Sequence, residues 1–169
     1  YYEEPYAGKP HVRICEGLGL RGLSLLDFET EKSKFVEGEV MGLLERLKLN
    51  KTKDFFEWLD LILKNELNSE IKAINFNLYE DTDNKWSVEL VGTFSFDKDN
   101  DDWACDEVFT TRDQPFVIEC ESDWELVETF FISLVNEYLS SGKYAGKLKE
   151  YQAIGIGFFD GDLQILYAR

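Results

Sequence analysis

Histidine is almost missing from this chain: His11 is the only one in 169 residues. Ser-His-Asp and Cys-His nucleophile systems would both have to rest on that single imidazole. The three cysteines, Cys15, Cys105 and Cys120, include no pair at metal-ligand spacing, which together with the lone histidine argues against zinc. An odd cysteine count fits a reduced, cytoplasmic protein better than a disulfide framework. Long apolar runs are also lacking. None approaches the ~20 residues of a membrane span, and Tyr1-Tyr2-Glu3-Glu4-Pro5 carries no secretion-signal pattern. Basic residues are scarce: 18 Lys and Arg face 34 Asp and Glu, a formal net charge of −16. Such a field repels nucleic acid and anionic membranes and speeds encounter with a basic protein.

What is present is enough to fold. Hydrophobic residues make up 44% of the chain and aromatics 15%, so the charge does not imply disorder. The length suits one ordinary domain with its own core. The charge is unevenly placed. Residues 1–50 are close to balanced, whereas residues 78–128 hold 16 acidic and 3 basic side chains, net −13. Two readings of this acidity stand side by side: it keeps the protein soluble, or it forms a surface for a basic partner.

Residues 1–27 differ in style from the rest and read as an N-terminal extension or irregular segment; residues 28–169 read as a single acidic domain. Within the first segment, Gly17-Leu18-Gly19-Leu20-Arg21-Gly22 matches GxGxxG. His11-Val12-Arg13-Ile14-Cys15 reads as a short strand before it, but 23–28 gives no clean helical start and no strand ending in an acidic residue follows, as a dinucleotide site requires, so loop glycines are the better account. Apolar spacing predicts helices over 31–49 and about 53–67, with Asn50 as a stop and Thr52 as an N-cap. Ile74, Phe76 and Leu78 then alternate with polar residues. After a turn at 80–85, a period-two run continues over 86–96, the clearest strand in the chain. Short extended pieces at 107–111 and 116–120 follow. Ser122 and Glu125 form a capping-box pattern, opening an amphipathic helix to about Ser141, with Gly142 as its C′ residue. A hairpin closes the chain, with 153–159 and 163–167 flanking Asp160-Gly161-Asp162. Its Ile154, Ile156 and Phe158 are expected to share the core with Leu163, Ile165 and Tyr167. The expected fold is α+β: an antiparallel sheet of about four to six strands with helices packed mainly on one face.

The most unusual stretch is 97–109. Asp97, Asp99, Asp101, Asp102, Asp106 and Glu107 crowd around Trp103 and Cys105. Counted as an EF-hand from Asp97, it has Asp102 where glycine belongs and Val108 where glutamate belongs, and strands rather than helices flank it. No metal or cofactor is expected. Neighbouring carboxylates make Cys105 a poor thiolate, so Cys105 and Cys120 are read as small buried side chains. Asp101/Asp102 and Asp160/Asp162 are carboxylate pairs, but turn solvation explains them. An exposed tryptophan among acids would make a binding hot spot; a Trp103 folded inward would only cap the sheet. The candidate contact set is Asp99, Asp101, Asp102, Trp103, Asp106 and Glu107, with Asp81, Asp83 and Glu121 as its rim.

The order of elements, together with Asp102-Trp103-Ala104 and Glu107, then Gly155-Ile156-Gly157-Phe158 leading into Asp160-Gly161-Asp162, resembles the small acidic immunity proteins of bacterial polymorphic-toxin and contact-dependent-inhibition systems. The likeness covers about residues 52–167. It implies a cytoplasmic antitoxin without enzyme activity, bound to a cognate toxin with a basic surface, often a nuclease, and with no direct contact to nucleic acid or membrane. The residues by themselves leave two other readings open: an adaptor or regulatory module for a basic protein, and a carboxylate-metal enzyme.

Overall fold

A computed structural model describes residues 42, 45–46, 48–82 and 84–169, all within the compact unit Gly38–Arg169. His11, Cys15, the glycine motif at 17–22, Asp83 and most of the expected helix at 31–49 lie outside the described residues.

The first described helix, α1, covers residues 48–63 without a break. Asn50 and Thr52 are therefore neither a stop nor a cap. Both cost a helix only a few tenths of a kcal/mol each, too little to end it where no proline or glycine intervenes. Phe55, Leu59 and Leu63 are fully buried along one side.

The sheet contains β1 (Ala73–Glu80), β2 (Lys85–Thr93), β3 (Glu107–Thr110), β4 (Phe116–Glu119), β5 (Ala153–Phe158) and β6 (Gln164–Ala168). The strand order is β3-β2-β1-β5-β6, with β4 also on β2. The α+β class is as expected, and the sheet is mostly antiparallel; the β1–β5 pair is parallel. β3 and β4 behave as one interrupted strand. β3 lies against the end of β2 and β4 against its beginning. Between them Thr111 stays on β2, its backbone N–H donating to Leu90 O (3.1 Å) and its Oγ1 accepting from Leu90 N (2.9 Å). Pro115 has no N–H to continue the ladder.

β2 is shorter than its alternation suggests. It ends at Thr93, where the register with β3 shifts, and Phe94 is left exposed. Phe96 packs under the loop that follows instead. The turn between β1 and β2 places Asn84 at φ 61, a left-handed angle that asparagine tolerates.

One sheet face carries Ile74, Phe76, Leu78, Trp86, Val88, Leu90, Phe116, Ile118, Ile154 and Ile156. These share one core with residues of α1, of α2 (Trp124–Ser141) and of Leu148 in the short α3 (Ala145–Leu148). Every position read from sequence as the apolar side of α2 is buried. Tyr138 Oη of α2 donates to Asp60 Oδ1 of α1 at 2.6 Å, and Trp58 Nε1 donates to Gln114 O at 2.9 Å.

Two local expectations change. The N-cap of α2 is Asp123, not Ser122: its Oδ1 accepts from Leu126 N at 3.0 Å. Asp123→Ala is expected to cost about 1 kcal/mol, whereas Ser122→Ala should stay within ~0.5 kcal/mol; urea unfolding of the two variants checks this. The closing hairpin also departs from a tight Asp-Gly turn. Residues 159–163 separate β5 from β6, and Gly161 does not take left-handed angles. A register shift between Ile154 and Gly155 moves Leu163 and Ile165 off the main core, while Tyr167 stays on it.

Candidate functional site

The second sheet face is where the structure departs most from the sequence pattern. Alternation marks it as polar, and a polar face is normally solvated. Here Asn75 and Asn77 of β1 and Ser87, Glu89 and Thr93 of β2 are all buried. Two segments approach this face. One is the acidic loop, whose residues Asp101–Cys105 form a 3-10 turn. The other is the segment joining β5 to β6. Glycines make the second approach feasible: a Cβ on Gly157 would lie 2.5 Å from Asp162 O, and one on Gly155 would lie 2.6 Å from Asn75 Oδ1 and 3.2 Å from the Trp103 ring.

The loop is shaped by its own acids. Asp97 Oδ1 accepts from Asp99 N (2.9 Å), and Asn100 Oδ1 accepts from Asp102 N (3.2 Å). Ser95 Oγ donates to Asp106 Oδ2 (2.5 Å), and Asp106 N donates back to Trp103 O (3.2 Å). Short polar side chains that bond the backbone two residues on are the usual means of compacting such a turn. They drive Trp103 inward. It is 2% exposed and packs with Ala73, Ala153 and the edge of Phe96. Trp103 is thus a cap on the sheet and not a surface anchor. Cys105, expected to be buried, is exposed at the end of the turn, whereas Cys120 is buried as expected.

The same face holds a polar network centred on Glu89, which is 1% exposed. Glu89 accepts from Tyr79 Oη, from Thr110 Oγ1 (2.9 Å), from Arg112 Nη2 (3.1 Å) and from Asn77 Nδ2 (3.3 Å). Burial pushes its pKa up, but the bonds from Tyr79, Arg112, Thr110 and Asn77 outweigh burial and hold it below the usual glutamate range. Tyr79 is pushed up to about 12, by burial and by its bond to Glu89, so it stays a proton donor. The half-exposed Arg112 also reaches Glu107 Oε1 at 2.9 Å, and Glu89 and Glu107 together raise its pKa.

An open cavity of about 590 Å³ sits on this face. Asn75, Asn77 and Tyr79 come from the sheet; Asp101, Asp102 and Cys105 come from the loop. Glu107 and Arg112 stand on one side, and Phe158, Phe159 and Leu163 on the other. Tyr79 and Phe159 stack with ring centroids 5.6 Å apart, and Phe159 is 65% exposed. The carboxylates of Asp101, Asp102 and Glu107 outnumber the one guanidinium of the lining.

Of the predicted contact set, Asp101, Asp102 and Glu107 line the cavity. Asp99 and Asp106 are exposed on the same loop, and neither they nor Asp101 and Asp102 form an ion pair among the described residues. Asp81 and Glu121 are exposed at the other end of β1 and β2, beside the 80–85 turn. Neither is in the cavity lining, although Asp81 stands only two residues beyond Tyr79, which is. Sequence reasoning missed Asn75, Asn77, Tyr79, Glu89, Arg112 and Phe159. One signal was available: asparagine disfavours strands, yet two stand in the middle of β1 on a single face.

No family model matches the chain, and no curated protein or solved structure matches it significantly.

Proposed function

We propose that this chain is a non-enzymatic binding protein for a basic protein partner, acting as an immunity protein that covers and neutralises the basic working surface of a toxin. The observation that carries this reading is the set of exposed carboxylates of Asp99, Asp101, Asp102 and Asp106, without an ion pair among the described residues, gathered beside an open acidic cavity. Charges left unneutralised within one chain cost self-repulsion, which a cationic partner relieves. The reading differs from one built on Trp103. The aromatic element offered to a partner is the stacked pair Phe159 and Tyr79, and the buried tryptophan holds the acids in place.

The test is co-purification with the product of the neighbouring gene, combined with growth rescue of cells expressing that product. Asp99→Lys, Asp101→Lys and Asp102→Lys together should weaken capture by about a hundredfold, since close interfacial charge pairs carry coupling of that order. Thermal stability should not fall, and wild-type affinity should fall steeply with added salt. Undiminished capture and protection by the triple variant would show that the partner docks elsewhere. Capture without protection would make the chain an adaptor for a basic protein.

A further inference from the structure

We propose that the cavity receives one guanidinium or primary ammonium group carried on an aliphatic arm. The proposed function makes an arginine or lysine side chain of the partner the source, and only the choice of source rests on that reading.

The lining divides into parts that suit such a group. Leu163 offers apolar surface for methylenes, as long basic side chains require. The stacked Tyr79 and Phe159 rings offer aromatic surface to a cation at one wall. Asp101, Asp102 and Glu107 supply carboxylates on the loop side, and Arg112 is already engaged by Glu89 and Glu107. The fourth part is independent of the acids. Asn75 is 2% exposed and belongs to the cavity lining, and its Oδ1 has no hydrogen-bond donor among the described residues. Its Nδ2 is committed to Asn77 Oδ1 at 2.5 Å. A buried acceptor without a donor is a costly feature in a sheet. A ligand N–H that reaches the floor supplies the missing donor, with the amide turning slightly about its broad terminal torsion to meet it.

Other ligand classes fit less well. An anion meets an excess of carboxylates. A bare metal ion finds no group of three His, Cys, Asp or Glu arranged to hold it among the described residues. A neutral apolar molecule would cover the acids and leave Asn75 unsatisfied.

The test uses the whole chain, isotope-labelled, followed by amide NMR during titration with two probes: agmatine, a free guanidinium on an aliphatic arm, and acetyl-Gly-Arg-Gly-amide, the same group borne by a peptide. Saturable shifts are expected at the Asn75 side-chain amide and at Gly155 and Gly161. Asn75→Leu, and separately Asp101→Asn with Asp102→Asn, should each weaken binding about tenfold, the loss of one charge-assisted hydrogen bond. The paired substitutions lie on an exposed turn and carry the test if Asn75→Leu does not fold. Absent shifts, shifts spread over the acidic surface without saturation, or shifts unchanged in every folded variant would overturn the proposal. Binding of both probes supports a partner's side chain as the source; binding of agmatine alone supports a free organic cation. Capture of a basic protein by a chain that binds neither probe would sink the cavity assignment and leave the proposed function standing. Agmatine binding by a chain that captures no basic protein would do the reverse.

Discussion

Trp103→Ala is expected to lower the unfolding free energy by about 3–5 kcal/mol, the usual cost of deleting a fully buried aromatic side chain. The indole fills the space between the acidic turn and Ala73, Ala153 and Phe96. Removing it leaves a void that small alanines cannot close, and it uncouples the turn from the sheet. Trp103→Phe is expected to cost only about 1 kcal/mol, because an aromatic ring is kept and volume changes modestly. It also forfeits no hydrogen bond, since Trp103 Nε1 is buried without a partner among the described residues. Urea unfolding of the three proteins measures this directly. An outward-pointing tryptophan would give the opposite pattern, with Trp103→Ala as stable as wild type within ~0.5 kcal/mol and defective only in binding. That result would remove the inward-facing cap from the account, and with it the reason the acids stand where they do.

The elements and the main core were legible because they follow from periodicity. Ile74, Phe76 and Leu78, and the long apolar side of α2, are buried where spacing places them. The parallel pairing of β1 with β5 was not legible, since it joins segments about eighty residues apart and depends on strand neighbours that local pattern does not encode. The second face was hidden for a related reason. Alternation says which side chains share a face, not whether a later loop will cover it. The glycines at 155 and 157 were noticed as a motif, but their role appears only when Asn75 and Asp162 are seen against them. The acidic loop was legible as a binding candidate. Whether Trp103 turned in depended on the hydrogen bonds of Asp97, Asn100 and Asp106, which are tertiary in effect though local in sequence.

Glu89→Gln is expected to destabilise the chain by about 3 kcal/mol at pH 7, in the range for breaking a buried charged cluster. Four donors converge on this carboxylate, and an amide in its place turns one acceptor into a fifth donor. Arg112→Ala should cost less, about 1 kcal/mol, because the guanidinium side chain is half in solvent and its attraction is screened. The distinguishing measurement is pH dependence. The pKa of Glu89 is depressed in the folded state, so the stability it contributes is fully present above the unfolded carboxylate pKa and is lost as pH falls through the depressed folded value. Below that value wild type carries a neutral acid at position 89 and comes to resemble the glutamine variant. The gap between the two unfolding curves should therefore hold from pH 7 to about pH 5 and then narrow toward acid. Relief of the net −16 self-repulsion also changes stability with pH, but it acts on both proteins and cancels in the difference. A gap that stays constant down to the acid transition would mean that Glu89 is not held ionised by its neighbours. The network behind Asn77, Tyr79 and Arg112 would then hold no fixed negative charge to support the cation proposed for the cavity.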